Sequence, residues 1–184
     1  MRKIISQMMI SLDGFIEGTN QELDWHHVDD EYHKYAEEML HSVDVILYGR
    51  KTYQHMKDFW STEFAIESFP VIAERMNHLP KIVFSETLND VDWNNTTLIK
   101  EKVNDSIMKL KQQPGKDMII LGSSDFVSFL TNIGLIDEYQ VIVNPTILGG
   151  GKPYFKNITN RKLLRLVKTK EFQSGNVLLC YQLA

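Results

Sequence analysis

The residues with the clearest chemistry in this 184-residue chain sit at three glycine-bearing junctions. In Tyr48-Gly49-Arg50-Lys51-Thr52-Tyr53 an apolar run meets a glycine, and two cations and a hydroxyl then fall in what reads as the first turn of a helix. Cations there oppose the helix dipole, so a bound anion would relieve the conflict; a plain solvated Arg-Lys pair is the other reading. In Leu121-Gly122-Ser123-Ser124 a second apolar run ends on glycine, which lets backbone approach a ligand closely. The helix start that follows offers free N–H groups suited to a pyrophosphate, or a serine N-cap and nothing more. Two such junctions fit a dinucleotide better than a single phosphate. At the third, Pro145 with Gly149, Gly150 and Gly151 follows a strand-like run, where open α/β sheets bind ligands. Its N–H groups could meet a polar substrate tail or a phosphate, with Lys152 adding charge, or the segment is simply a flexible loop. G-x-G-x-x-G is absent, and Gly149-Gly150-Gly151-Lys152-Pro153 lacks the spacing and hydroxyl of a phosphate-binding Walker loop, so dinucleotide folds of the Rossmann type and P-loop enzymes are disfavoured.

The elements that must position these residues alternate along the chain. Strands are expected at Lys3–Ile10, Val43–Tyr48, Lys81–Phe84, Thr97–Lys100, Asp117–Leu121, Glu138–Asn144, Leu163–Lys170 and Val177–Leu183. Continuously apolar runs such as Val45–Tyr48 and Met118–Leu121 suit strands covered on both faces. A helix over about Asp29 to Ser42 carries Val28, Tyr32, Tyr35, Ala36, Met39 and Leu40 as one stripe, with Asp29 or Asp30 as N-cap. A second helix starts at Ser123 or Ser124, turns Phe126, Val127, Phe129 and Leu130 inward and stops at Gly134. Others lie in Val103–Gln113, Lys51–Phe59 and Thr62–Asn77, the last broken at Pro70. The Gln173–Asn176 turn makes the last two strands an antiparallel hairpin. The expected fold is thus α/β: a single domain over residues 1–184, with a mixed, mainly parallel sheet of about eight strands flanked by helices.

Composition narrows the partners. Lys and Arg number 20 against 24 Asp and Glu, a net charge of −4, which disfavours nucleic acid and anionic membranes. The single cysteine, Cys180, removes any disulfide framework and any CxxC zinc site. No run approaches the roughly 18 apolar residues of a membrane helix, and the first apolar run is too short and broken for a signal segment, so a cytoplasmic location is expected. Five basic residues within 161–170 read as protection of an exposed edge strand.

Taken in order, Ser11-Leu12-Asp13-Gly14-Phe15-Ile16, Tyr48–Tyr53 and Ile120–Ser124 resemble the dihydrofolate reductase-like superfamily. Gly134-Leu135-Ile136-Asp137-Glu138 and Pro145-Thr146-Ile147-Leu148-Gly149-Gly150-Gly151-Lys152-Pro153-Tyr154-Phe155 bring the likeness closer to one branch. That branch holds the C-terminal reductase domain of the bifunctional deaminase-reductase of riboflavin biosynthesis. The resemblance implies an eight-stranded sheet, NADPH as hydride donor, a small-molecule substrate and a homodimer. It implies that Gly49, Arg50, Lys51 and Thr52 hold the adenosine 2′-phosphate and pyrophosphate, with Ser85 near the adenosine ribose. Gly122, Ser123 and Ser124 would line the pyrophosphate, and Asp13 to Ile16 would cover the nicotinamide, with Ile16 on the ring. The family usually shows Gly-Gly where this chain has Gly122-Ser123, and Glu86 follows Ser85.

Reduction of a C=N bond also needs a proton, and folate reductases place a carboxylate a few residues after a tryptophan. In Trp25-His26-His27-Val28-Asp29-Asp30 the candidate is Asp30, its pKa raised by burial, unless it serves as the helix cap. His26 and His27 have no metal-binding pattern, and no metal is expected; they read as loop residues at a site rim. Phe59 and Trp60 could stack on a flat heterocycle or belong to the core. The activity implied resembles that of 5-amino-6-(5-phosphoribosylamino)uracil reductase, acting on a pyrimidine- or pteridine-like substrate. Dihydrofolate reduction and non-catalytic nucleotide binding on the same fold are the alternatives.

Overall fold

The structure is a computed structural model and describes residues 1–184. In chain order the elements are β1 (Ile4–Ile10), β2 (Phe15–Glu17), α1 (Asp30–Ser42), β3 (Val43–Gly49), α2 (Arg50–Trp60), α3 (Glu63–Ser68), α4 (Pro70–His78), β4 (Lys81–Phe84), β5 (Thr96–Ile99), α5 (Val103–Gln112), β6 (Asp117–Ile120), α6 (Ser124–Asn132), β7 (Glu138–Val143), β8 (Lys152–Pro153), β9 (Leu164–Glu171) and β10 (Val177–Leu183). Eight of the strands form a sheet in the order β5-β4-β3-β6-β1-β7-β10-β9. The pairs β3–β4, β3–β6, β4–β5 and β1–β7 are parallel, whereas β10 runs against both β7 and β9, as the short turn before it requires. This is the expected α/β fold. No helix is long and apolar enough to cross a membrane.

Contacts gather into two compact units, Met1–Ile4 with Lys34–Ser123, and Ile5–His33 with Ser124–Ala184. The first contains β3 to β6 and the helices α2 to α5. Ile46, Leu47, Tyr48, Met118, Ile119 and Ile120 are fully buried, as continuous apolar runs in a strand covered on both faces must be. Pro70 does not kink one helix but starts a new one: it is the first residue of α4, where its missing N–H costs nothing. Lys81 interrupts the apolar pattern with a purpose. Its ammonium, buried at the start of β4, donates to the carbonyls of Met76 (2.9 Å), Asn77 (3.0 Å) and Leu79 (2.8 Å) and lies 4.4 Å from the Trp93 ring centre. It thereby closes the C-terminal end of α4, whose last carbonyls lack helical partners. Burial brings its pKa down to about 8.

The second unit contains most of β1 together with β7, β10, β9 and α6. Phe126, Val127 and Leu130 of α6 are buried, but Phe129 is 45% exposed, contrary to the four-residue inward face expected; the helix turns it to the opposite side. Val28 likewise lies outside the α1 stripe, 49% exposed in the segment before the helix. The Tyr139 hydroxyl donates to Thr131 of α6 (3.0 Å), and Tyr154 and Ser6 share a buried hydrogen bond (2.9 Å). β9 ends the sheet with nearly all its residues exposed, so its interspersed lysines and arginine stand where an unpaired edge needs them. The antiparallel pair β2–β8 makes a separate two-stranded ribbon that the sequence periodicity does not announce.

Candidate functional site

In the first unit the candidate residues cluster because three parallel strands end together. Gly49 pairs with Phe84, and Leu47 with Ile120, so Gly49–Thr52, Ser85 and Gly122–Ser123 all follow carboxyl ends at one edge. Gly49 is the N-cap of α2 in an extended conformation, with no side-chain cap and no acidic residue in the first turn. Arg50 and Lys51 are exposed there. The helix start therefore presents unpartnered N–H groups and two cations, an arrangement that favours an anion. The same helix is anchored one turn further on. The Tyr53 hydroxyl accepts the N–H groups of Asp92 (3.1 Å) and Trp93 (3.0 Å), and Lys57 pairs with Asp92. Ser85 is engaged in its own turn: its Oγ accepts the N–H groups of Thr87 (3.2 Å) and Leu88 (3.1 Å). Glu86 is exposed beside it. Gly122 has φ +91 and its peptide bond to Ser123 is cis. Phe59 and Trp60 lie at the other end of α2, in edge contact with each other and with Phe64 and Phe69, and are not part of this edge.

Ser124 opens α6 in the second unit. It is fully buried, and its Oγ has no hydrogen-bond partner. A buried hydroxyl at a helix N-terminus with nothing to bind is a donor awaiting an acceptor. Within the first unit, the uncapped cationic start of α2 fits the anionic part of a dinucleotide.

The second unit has its own edge, where β1 and β7 end in parallel with Ile10 opposite Val143. Here the turn after β1 and the glycine loop after β7 are tied together. Leu12 N–H donates to the Thr146 carbonyl (2.7 Å) and Tyr154 N–H to the Gly14 carbonyl (3.0 Å). Asp13 is the centre of this tie. Its carboxylate accepts the Ser11 hydroxyl (2.6 Å) and the N–H groups of Leu148 (3.1 Å) and Gly149 (2.8 Å). The Ser11 bond first, then the two amides, hold its carboxyl below the usual carboxylate range. Pro145 and Gly149 are exposed. Gly151 has φ +139, and a Cβ there would run into the Glu17 carbonyl oxygen, so this glycine is required by the β2–β8 ribbon. Ile16, expected to be open to a ring, is only 9% exposed within that ribbon. Lys152 and Lys156 both pair with Asp125.

Between the tryptophan and α1 the structure separates two neighbouring carboxylates. Asp29 is the cap: one oxygen accepts the Tyr32 N–H (2.7 Å) and the other the Ser174 N–H (2.8 Å). Asp30 is the first residue of α1 and is exposed, not buried as expected. The peptide of His27 is held from both sides by fully buried asparagines: its N–H donates to Asn144 (2.9 Å) and its carbonyl accepts from Asn176. His26 is half-buried against the Trp25 ring, centroids 4.4 Å apart, and burial pushes its imidazole down to about 4. It is neutral, and its Nε2 has no partner. The Asp13 clamp and the two asparagines escaped sequence reasoning; Ser11-x-Asp13-Gly14 is a turn signature that could have pointed to the former.

A family profile described as the RibD C-terminal domain matches residues 2–178. The Bacillus subtilis (strain 168) protein YyaP, described as uncharacterized, is 35% identical over 184 residues, covering 98% of this chain and 94% of its own. Among solved structures, a Shewanella sp. PV-4 protein assigned provisionally to riboflavin biosynthesis superposes with a TM-score of 0.77 at 22% identity, covering 99% of each chain. Dihydrofolate reductase from Enterococcus faecalis, complexed with NADP(H), gives 0.67 at 15% identity, with 98% of this chain and 96% of that one covered. These two likenesses are of fold.

Proposed function

Since the chain belongs to the family of the RibD C-terminal domain, we propose that it is an NADPH-dependent reductase of a pyrimidine- or pteridine-like substrate with a C=N or related bond. The observation that carries this reading is the start of α2, uncapped and bearing Arg50 and Lys51 beside Gly49 and the end of β4. Arg50, Lys51 and Thr52 would hold the phosphate of the adenosine side, and Ser85 would stand near its ribose. Gly122, Ser123 and Ser124 would meet the pyrophosphate, with the buried Ser124 hydroxyl finding its acceptor there. Ile16 would border the nicotinamide. NADPH, when bound, supplies the hydride; the protein supplies orientation and charge.

The substrate side falls to Pro145, Gly149, Gly150 and Gly151. Asp29 is spent on the helix cap, which leaves Asp30 as the free carboxylate of the pair to pass a solvent proton to the substrate. The reading includes a cytoplasmic homodimer, for which sedimentation velocity is the test.

Calorimetry with NADPH and NADH decides the core of the proposal. Stoichiometric NADPH binding, followed by oxidation of NADPH in the presence of pyrimidine or pterin imines, is expected. Binding without turnover of any such compound would favour non-catalytic nucleotide binding, a reading supported by the exposure of Asp30. Absence of binding to either nucleotide would overturn both.

A further inference from the structure

The C-terminal hairpin carries its polarity in the reverse of the usual sense. On one face β10 buries Leu178 and Cys180, and the β9 residues that pair along that face are Lys170, Lys168 and Arg165. The cations therefore share the face that is partly covered, and Lys170 meets Glu31 at the start of α1. On the other face Tyr181 and Leu183 pair with Leu166 and Leu164. These three leucines are exposed, Leu166 by 48%. Tyr181 also pairs with Tyr139 of β7, whose ring contacts Phe155, itself exposed, so the apolar surface continues beyond the hairpin. The helix on this side, α6, meets β7 through Thr131 and Tyr139 and leaves the leucines of β9 and the end of β10 bare. An antiparallel hairpin with one face in water ordinarily turns polar residues to it. Here it turns leucines, the mark of a face that another surface covers.

Resting on the homodimer of the reading above, we infer that a second copy of this chain covers that face. Each copy lays Leu164, Leu166, Tyr181 and Leu183 against the same residues of the other about a two-fold axis. Charge selects this occupant and its direction. Within the strands the face bears one formal charge, Glu171, opposite Val177 at the turn end, while Arg161 and Lys162 stand just before the other end of β9. Antiparallel two-fold packing brings Glu171 of each copy toward Arg161 and Lys162 of the other, and leucine onto leucine. The competing arrangement, β9 added edge to edge to β9, sets Arg165, Lys168 and Lys170 of both copies side by side and is disfavoured. The contact also bears on the site. The turn of this hairpin donates the Gln173 N–H to Glu31 (3.0 Å) and the Ser174 N–H to Asp29 (2.8 Å), so fixing the hairpin steadies the start of α1.

Sedimentation velocity over a range of protein concentrations tests the face without any cofactor. The wild type is expected to be a dimer. Leu166→Glu and Leu183→Glu each set two like charges against the two-fold contact and are expected to raise the dissociation constant by about thirtyfold or more. Both leucines are exposed, so the variants should keep the wild-type circular dichroism. Lys168→Glu, on the opposite face, is the control and should leave the dimer intact. Should the glutamate variants fail to fold, hydrogen exchange on the wild type decides: amides of residues 164–166 and 181–183 are expected to gain protection as concentration rises. A monomeric wild type, a dimer unmoved by both folded leucine variants, protection that ignores concentration, or a dimer lost in Lys168→Glu would each overturn the inference. Absence of NADPH binding strikes the reductase reading and leaves the sedimentation result legible.

Discussion

Asp29 and Ser174 stand 145 residues apart in sequence, yet one oxygen of the Asp29 carboxylate caps α1 while the other holds the Ser174 N–H at 2.8 Å. Glu31 reinforces the connection by accepting the Gln173 N–H (3.0 Å) and pairing with Lys170. The carboxylate that starts the helix therefore also fixes the turn between β9 and β10.

This divides the roles of two adjacent acids. Asp29→Ala should destabilise the fold, through the loss of a cap and a long-range bond, read as a clear fall in urea midpoint. Asp30→Asn should leave that midpoint within about 0.5 kcal/mol and lower turnover at least about tenfold without altering NADPH affinity. Unchanged turnover in Asp30→Asn would remove this residue from the chemistry.

For the cofactor, Arg50→Ala should weaken NADPH binding by about tenfold or more, the loss of a charge-assisted contact to phosphate, and affect NADH far less. Isothermal titration with both nucleotides makes the comparison. Equal losses for the two would place Arg50 away from the 2′-phosphate.

Acid should act through His26. Its imidazole titrates at about 4 when folded against 6.5 as the ordinary value, so between these values the unfolded chain binds the proton and the folded chain does not. The stability that depends on neutral His26 is complete above pH 6.5 and is lost as pH falls toward 4, by at most about 3 kcal/mol. The depressed carboxyls of Asp13, Asp29 and Glu31 weaken the fold in the same direction at lower pH. Urea unfolding of wild type and His26→Gln across pH 4–7 isolates the histidine: the two curves should converge toward pH 4. Parallel curves would contradict the assignment.

The glycines of the loop after β7 should differ sharply. Gly149 has φ +72 with open space around a notional Cβ, so Gly149→Ala should cost about 1 kcal/mol of backbone strain. Gly151→Ala drives a methyl into the Glu17 carbonyl and should cost about 3 kcal/mol, with loss of the β2–β8 ribbon seen in hydrogen exchange at residues 15–17. Equal destabilisation would show that the ribbon yields.

The buried strands β3, β4 and β6 could be read from sequence because buried parallel strands need continuous apolar runs, and β9 and β10 because a short turn between two strand-like runs announces a hairpin. The edge proposed to meet the cofactor was readable for the same reason: a glycine after such a run fixes where a strand ends, as at Gly49 and Gly122. Choosing between Asp29 and Asp30 was beyond the sequence, because the partner that decides it, Ser174, belongs to a distant hairpin. The β2–β8 ribbon pairs three residues with two, too few for any periodicity to register. Lys81 was invisible as a cap because a lysine before Ile-Val-Phe reads as the polar start of a strand, whereas its amine reaches back to α4.

The double hold on His27 sets an order of events during synthesis. Asn144 can grip its N–H once β7 exists, but the carbonyl waits for Asn176, and Asp29 waits for Ser174. Residues 26–29, made early, keep an incomplete set of partners until the hairpin that carries Ser174 and Asn176 has been made. A chain stalled before the final hairpin would therefore carry most of its sheet sequence while the segment leading to Asp30 stayed loose. Such closure over a long sequence separation makes the segment leading to Asp30 late to order.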